Sequence, residues 1–357
     1  MQKNSRDSGD EIAVNRTNEL NRGGGDTPLV CKDYSISAVR LVAFVFIVSC
    51  HFLQYFNNEL AWWFNIGVQM FLAISGYLYG NKYCYKTVDC SLFYKTRIIK
   101  ILLPYYIVLL PALAFHIVFI RDLSKVKILK TIICNVTIRG GEHLWFIATI
   151  LMCYAITPLI TALLNRTSRK QFFAVVGIFI LSLILFFEFF NNFYNSAWIV
   201  CYILGFVLGV IEKKEIISQK YVYSIVFVLS LQNLLQVANN YSCHIVDINN
   251  PIYMTWSDFN HVWLGLLLFL VIRLCFSRIR MNNNRIVLAI LDFSDKYSYE
   301  CFLVHQFMIL GPLSLMEITG IYGLNIVIVI LLIVVFAVIV KAIENLILRV
   351  FKSRSFV

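Results

Sequence analysis

The first long apolar segment of the chain carries two ionisable residues, Arg40 and His51, with ten residues between them. Eleven steps of about 100° bring their side chains to within about 20° of one helix face, roughly 16 Å apart along the axis. Ionisable residues inside a membrane span are costly and indicate function by default. The pair therefore predicts an anion anchor at one depth and a proton acceptor at another. Taken singly, a snorkelling arginine and a hydrogen-bonded packing histidine explain them equally well.

A second basic element stands at the start of the third apolar segment, where Arg97 and Lys100 are three positions apart. Residues at this spacing are neighbours on one helix face, and the segment begins at the same membrane level as Arg40. Three cations converging there would hold phosphate groups. An ordinary basic flank that binds lipid headgroups is the alternative interpretation.

Further chemistry-bearing residues fall at span positions elsewhere. His143 begins the fourth apolar segment, two residues before Trp145, and His305 lies midway along the ninth. These residues are candidates for lining the route of an acceptor, with Trp145 offering a flat face for a sugar ring; an interface anchor is its alternative role. The 10 cysteines are scattered without a C-x-x-C pair, so neither a metal site nor a redox motif is expected.

The elements that must position these residues are membrane helices. Of 357 residues, 59% are hydrophobic and 14% are charged, whereas about a quarter are charged in a soluble domain. Continuous apolar runs, each near the roughly 20 residues that cross a bilayer, predict an all-α integral membrane protein of about ten transmembrane helices and disfavour strands. The predicted spans are residues 35–56, 61–80, 98–120, 142–163, 171–190, 196–211, 221–237, 260–276, 298–316 and 321–340.

Lysine and arginine cluster in alternate loops, after the second, fourth, sixth, eighth and tenth spans. By the positive-inside rule, this pattern predicts that both termini are cytoplasmic. The loop between the third and fourth spans, residues 121–141, is also basic although it falls on the opposite side. We favour an interfacial amphipathic helix as the interpretation, and a basic loop beside a polyanionic glycan is the alternative. The net charge of +11 is then mainly a topology signature and indicates no nucleic-acid partner.

Composition divides the chain into three parts. Residues 1–32 are polar, include a run of glycines and lack the pattern of a secretory signal, which predicts a disordered cytoplasmic tail. Residues 33–348 form the ten-helix transmembrane domain, and residues 349–357 form a basic cytoplasmic C-terminus. The lipid bilayer is therefore the first predicted partner.

Several short motifs occur in order along this layout. They are Arg40 with His51, the stretch G-V-Q-M-F-L-A-I-S-G-Y-L from Gly67, Arg97 with Lys100 and Pro104, H-L-W-F from His143, and L-V-H ending at His305. Together they resemble the acyltransferase-3 family of bacterial membrane O-acyltransferases, which includes O-antigen and exopolysaccharide acetylases. The resemblance runs from about residue 33 to the last helix. Lys100 departs from the family's usual arginine, which keeps the charge but loses the bidentate fork, and Phe302 stands where tyrosine is common.

The resemblance implies that His51 is the catalytic histidine and that Arg40, Arg97 and Lys100 bind acyl-CoA. It implies an O-acyltransferase of the bacterial inner (cytoplasmic) membrane that moves an acyl group, acetyl first of all, from acyl-CoA to a hydroxyl of a carbohydrate. The acceptor is expected to be a surface or secreted glycan or a lipid-linked precursor. Acyl-CoA is then a substrate, and no permanently bound cofactor is expected. A transporter or flippase of lipid-linked glycans is the alternative, since ten helices with intramembrane Arg and His also suit a translocation pathway.

Overall fold

The computed structural model describes residues 32–190, 196–278 and 284–354, and in these ranges the chain forms helices without strands. The α-helices are α1 (Tyr34–Tyr55), α2 (Ala61–Phe64), α3 (Gly67–Tyr83), α4 (Cys90–Phe115), α5 (Lys125–Ile132), α6 (Trp145–Arg166), α7 (Arg169–Phe190), α8 (Ser196–Lys213), α9 (Gln219–Ser230), α10 (Gln232–Ala238), α11 (Pro251–Arg278), α12 (Arg285–Ile309) and α13 (Tyr322–Arg354). Single turns of other helical types extend α4 over His116–Ile120, precede α6 over Glu142–Leu144 and extend α10 over Asn239–Cys243. Residues 1–31 of the predicted tail and the end of the predicted basic C-terminus, residues 355–357, lie outside the described ranges.

Eight helical segments of the described chain are long and apolar enough to cross a membrane. They are α1, α4 and α6 to α8, the α9–α10 pair, α11 and α13. Two further helices complete the bundle: α3 has only 17 residues, and α12 carries charged residues, among them Asp292 and Asp295, in its first half. The predicted all-α integral membrane bundle is confirmed.

The contact between α3 and α8 is the most extensive helix contact in the described chain, because glycines line both sides of it. Gly76 and Gly80 on α3, and Gly205 and Gly209 on α8, each have the small-xxx-small spacing that lets membrane helices approach backbone to backbone. A Cβ added at any of the four would lie 2.0–2.4 Å from a main-chain oxygen of the facing helix. This packing fixes the position of α3, which contributes part of the site described below.

The ninth predicted span differs most from the structure. The sequence predicts residues 298–316, whereas α12 covers Arg285–Ile309. Charged residues in the first half of α12 hide the start of the helix from a hydropathy pattern, although Asp295 is paired with Arg40 inside the protein. After α12 the chain turns at Gly311, whose φ is +80°, a conformation that favours glycine.

Two other predicted spans differ in detail. The seventh divides at Leu231 into α9 and α10, which together with the following turn form one membrane-crossing segment, Gln219–Cys243. The eighth begins at Pro251, nine residues before the predicted start at 260, because the polar residues at its beginning mask the helix. The loop before it is correspondingly shorter than predicted.

α12 lies in the interior, and every residue from 300 to 309 is buried. It packs along α1 in the same direction. Arg40, near the start of α1, meets Asp295 in the first half of α12, whereas His51, near the end of α1, meets His305 near the end of α12. We name the two ends of the bundle accordingly: the arginine end, where α1 and α12 begin, and the histidine end, where they finish.

The basic loop, residues 121–141, contains the short helix α5 and is tied to the end of α4. The carboxylate of Asp122 accepts hydrogen bonds from His116 Nδ1 and Arg139 Nε, both at 3.2 Å. Burial acts to raise the pKa of Asp122, but these hydrogen bonds outweigh it and hold the pKa below its ordinary value. The carboxylate thus anchors the loop in its charged form.

Candidate active site

Three histidines from different parts of the chain meet at the histidine end of the bundle. They are His51 on α1, His143 in the turn before α6, and His305 on α12. The ring centroid of His305 lies 5.0 Å from that of His51 and 4.9 Å from that of His143, and the other two rings are 6.2 Å apart. His143 and His305 are only 4% and 0% exposed, whereas His51 is partly exposed. His51 is therefore the ring of this cluster that a substrate can reach most readily.

Hydrogen bonds determine which nitrogen of His51 and His305 carries the proton. His51 Nδ1 donates to Gln54 Oε1 at 2.6 Å, and His305 Nδ1 donates to the main-chain oxygen of Phe302 at 2.6 Å. Because these oxygens can only accept, the neutral rings carry their proton on Nδ1. Nε2 of each ring is left as a hydrogen-bond acceptor, which at His51 is what a general base requires.

His143 is fixed by the same helix. Its Nε2 donates to the main-chain oxygen of Leu303 at 3.2 Å, and its main-chain N–H donates to Gln306 Oε1 at 3.0 Å. Gln306 Nε2 in turn donates to Glu142 Oε2 at 2.8 Å. His143 Nδ1 remains as an acceptor, so each of the three rings keeps one lone pair unused by the protein. Among the described residues, no group of His, Cys, Asp and Glu side chains is arranged to hold a metal ion.

A cavity of about 170 Å³ lies between Arg40 and the histidines. Its walls are mostly apolar and include Ile47, one helical turn before His51. Phe302 also forms part of the wall and contacts the rings of His143 and His305, with centroid distances of 5.3 and 5.6 Å. One aromatic side chain thus separates the cavity from the cluster. The cavity and the cluster are therefore adjacent, and Phe302 stands between them.

Arg40 lines this cavity and forms an ion pair with Asp295 of α12. Ser37 Oγ donates to the second oxygen of the same carboxylate at 2.6 Å. The two charged side chains are about one-fifth exposed, at 22% and 19%. Arg40 is therefore held across the α1–α12 interface and does not face lipid, and an anion that binds it must share it with Asp295.

Arg97 and Lys100 lie on α4 near the arginine end. The guanidinium carbon of Arg97 is 5.2 Å from the ring centroid of Tyr79 and 5.9 Å from that of Phe93, contacts that hold the group in position. Its Nε is buried without a hydrogen-bond partner in the described part of the chain. Arg97 also interacts electrostatically with Tyr154, which lines the cavity, and with the exposed Lys100. Arg97 therefore lies beside a residue of the cavity wall, and Lys100 lies next to it on an exposed face of α4.

The comparison with known families identifies the family of this chain. A family model described as an acyltransferase domain matches residues 33–343, which include every candidate residue named above. The chain belongs to the acyltransferase-3 family. The family assignment made from sequence motifs is thus confirmed, and the protein is a multi-pass membrane acyltransferase. No curated protein and no solved structure matches it.

In the acyltransferase, Trp145 stands apart from the histidine cluster. Its indole stacks on that of Trp198 at the start of α8, with centroids 3.6 Å apart and planes 14° apart. A second ring contact is with Phe146, at 6.1 Å. Trp198 therefore covers one face of the indole, and only the other face is left for a sugar ring.

Three polar residues of the acyltransferase site were not identified from sequence. Gln54 follows His51 by three positions, a spacing at which helical side chains meet, so the sequence contained a signal for it. Asp295 and Gln306 had no such signal, because their partners lie 255 and 163 positions away. Both occur on α12, the helix whose first half hydropathy missed.

Proposed function

We propose that this acyltransferase transfers an acyl group from acyl-CoA to a hydroxyl of a surface or secreted carbohydrate at the bacterial inner membrane. Acetyl is the acyl group that we propose first. The observation that carries the proposal is the setting of His51. Its ring is partly exposed, its Nε2 is available as a proton acceptor, and it lies one helical turn beyond Ile47, which with Arg40 lines the cavity. A base and a set of cations on either side of an apolar cavity match the two ends of acyl-CoA, a thioester and a polyanionic nucleotide.

The cations near the arginine end would hold the donor by its phosphates. Arg97 offers an unpartnered buried N–H, Lys100 an exposed ammonium group, and Arg40 a guanidinium on the cavity wall. The eleven helical steps from Arg40 to His51 correspond to about 16 Å of helix. An extended pantetheine arm can cover this distance. Lys100 supplies charge without the planar fork of an arginine, so we assign the more directional phosphate contact to Arg97.

At His51 the reaction is acyl transfer assisted by a general base. The acceptor hydroxyl gives its proton to Nε2 while its oxygen attacks the thioester carbonyl. The new C–O bond forms, the C–S bond breaks, and the departing thiolate takes the proton from the imidazolium, which returns the ring to its neutral form. Gln54 accepts the hydrogen bond from Nδ1 and so favours the productive tautomer before and after the step.

The direction of approach follows from the basic loops. Their alternation supports an orientation in which both termini and the arginine end face the cytoplasm, where acyl-CoA is made. The carbohydrate would then reach His51 from the opposite side of the membrane. His143, His305 and the uncovered face of Trp145 are the residues we assign to that route.

Purified protein, acetyl-CoA and glycan prepared from cells that lack the protein provide the test. Wild-type protein should release free CoA thiol in step with acylation of the glycan. His51→Ala should lower the transfer rate by about 10²–10⁴-fold, the usual contribution of a positioned base, while acetyl-CoA binding is retained.

His244 supplies a matched control. It is exposed, and its positive φ of 47° is one that asparagine tolerates, so His244→Asn should transfer at the wild-type rate. A His51→Ala protein as fast as wild type would exclude the proposed base. Wild-type protein that acylates no glycan with acetyl-CoA or succinyl-CoA would exclude the donor and acceptor classes together.

A further inference from the structure

Two nitrogens of the histidine cluster have no hydrogen-bond partner among the described residues and no part in the base step. They are His143 Nδ1 and His305 Nε2, and both are buried. Each belongs to a ring whose other nitrogen donates to a main-chain oxygen of α12. A buried acceptor that has given up its water without gaining a donor costs free energy. The fold nevertheless holds two of them beside the reactive histidine.

Neither ring can rotate to bring its free nitrogen to another hydrogen-bond donor. His305 is fully buried, and His143 is bonded to α12 through its ring and through its main-chain N–H. In the neutral tautomers that these bonds select, both free nitrogens are acceptors. The missing partner must therefore be an O–H or N–H donor, such as a hydroxyl or a water molecule, and a carboxylate, phosphate or carbonyl group cannot serve.

The spacing indicates that the donors belong to one substrate. The rings of His51 and His305 are centred 5.0 Å apart, and those of His143 and His305 are centred 4.9 Å apart. Since a hydrogen bond spans about 2.7–3.2 Å, hydroxyls on adjacent carbon atoms are close enough together to reach two such rings at once. An isolated hydroxyl would reach His51 and leave the other two nitrogens without donors.

We propose that the acceptor is a vicinal diol: the hydroxyl that is acylated faces His51 Nε2, while a neighbouring hydroxyl donates to the free nitrogen of His305, the nearer of the two other rings. This inference rests on the proposed function and narrows it, because it names the chemical unit of the carbohydrate that the site selects. His305 then binds substrate directly, and the neighbouring hydroxyl remains free in the product.

Substitutions at His305 test the binding role. His305→Phe keeps a planar ring and removes the acceptor, so the KM for the glycan should rise at least tenfold while the KM for acetyl-CoA stays unchanged. His305→Gln restores an acceptor oxygen and should recover part of the loss. His261→Phe is the control, because His261 is another buried histidine with both ring nitrogens unpartnered, but it lies against Trp62 and Trp63. It should behave as wild type.

Periodate, which cleaves vicinal diols, tests the substrate class. Glycan oxidised with periodate and reduced with borohydride should no longer accept acetyl groups. In the normal product, the carbon–carbon bond between the acylated carbon and its hydroxyl-bearing neighbour should resist periodate. Equal transfer to treated and untreated glycan, or a normal glycan KM for folded His305→Phe, would overturn the inference. Absence of transfer to untreated glycan would instead count against the proposed function itself.

Discussion

At the scale of single residues, the three histidines differ in how firmly their tautomers are held. His143 and His305 donate to main-chain oxygens of a buried helix, whereas His51 donates to the side-chain amide of Gln54. A main-chain carbonyl inside a helix cannot turn, but a side-chain amide can. His51 is therefore the most adjustable ring of the cluster, a property that suits a residue which must accept a proton and return it.

The binding of the donor depends on Arg97 in our proposal, and salt dependence gives the prediction. Arg97→Ala should weaken acetyl-CoA binding about tenfold at low ionic strength, because the variant loses a charge-assisted contact to phosphate. The difference between variant and wild type should shrink as salt screens the attraction between Arg97 and phosphate in the wild type. Titration of the purified protein with acetyl-CoA at two salt concentrations measures both effects.

Lys95 provides the matched control for that titration. It is an exposed cation on the same helix. Lys95→Ala therefore removes one charge and leaves Tyr79 and Phe93, the rings that Arg97 contacts, unchanged. Its affinity should stay within about twofold of wild type. Unchanged acetyl-CoA affinity in Arg97→Ala at low salt would remove Arg97 from the donor site.

The sequence identified single site residues more readily than their partners. His51, His143 and His305 each stood out because ionisable groups are rare in apolar spans. Their convergence and their free lone pairs depend on contacts between α1, α12 and the turn before α6, which no local pattern encodes. Arg40 illustrates the same limit, since its spacing predicts an anion anchor but cannot reveal the ion pair with Asp295.

At the scale of helices, the glycine contact between α3 and α8 gives the next prediction. Gly205→Ala should strongly destabilise the protein, because the new methyl group would lie 2.4 Å from Ala73 O and neither backbone can move aside without separating the helices. Overpacking in a well-packed interior typically costs about 1–3 kcal/mol or more. The thermal unfolding midpoint in detergent should fall, together with the yield of monodisperse protein.

Gly177 is the matched control on α7. Nothing lies within 4 Å of a Cβ added there, and alanine is favoured over glycine inside a helix by about 1 kcal/mol. Gly177→Ala should therefore leave the midpoint unchanged or raise it. Equal midpoints for Gly205→Ala and wild type would show that the two backbones are not in close contact.

Hydropathy predicted which segments are helices better than it predicted where they end. The apolar runs of α1, α6 and α7 begin and end within a few residues of the predicted spans. α12 was displaced, because a pattern that scores charge as unfavourable cannot foresee that α1 supplies a counter-charge. The α3–α8 glycines carried a readable small-xxx-small signal, but the facing helix could be named only from the fold.

At the scale of the whole molecule, the ion pairs that the structure describes between spanning helices lie toward the arginine end, whereas those of Asp122 lie in the loop at the histidine end. Lys341 of α13 bonds both Glu300 and Glu344 at 2.9 Å, and Arg273 forms a two-pronged pair with Glu212. The cluster itself consists of imidazoles bonded to carbonyl and amide oxygens. The cations that we assign to the donor and the imidazoles that we assign to the acceptor stand at opposite ends of the bundle, so its orientation in the membrane is decisive for the proposed function.

Two native cysteines test that orientation. Cys243 is exposed in the turn after α10. Nearby Tyr241 accepts a hydrogen bond from Trp63, which lies just beyond the histidine end of α1, so Cys243 belongs to that end. Cys90 is exposed at the start of α4, near the arginine end. In single-cysteine variants, a membrane-impermeant maleimide should label Cys243 in intact spheroplasts and should reach Cys90 only after permeabilisation. Labelling of Cys90 in intact spheroplasts would put the cationic end outside the cell, where acyl-CoA is not available, and the direction of transfer that we propose would be wrong.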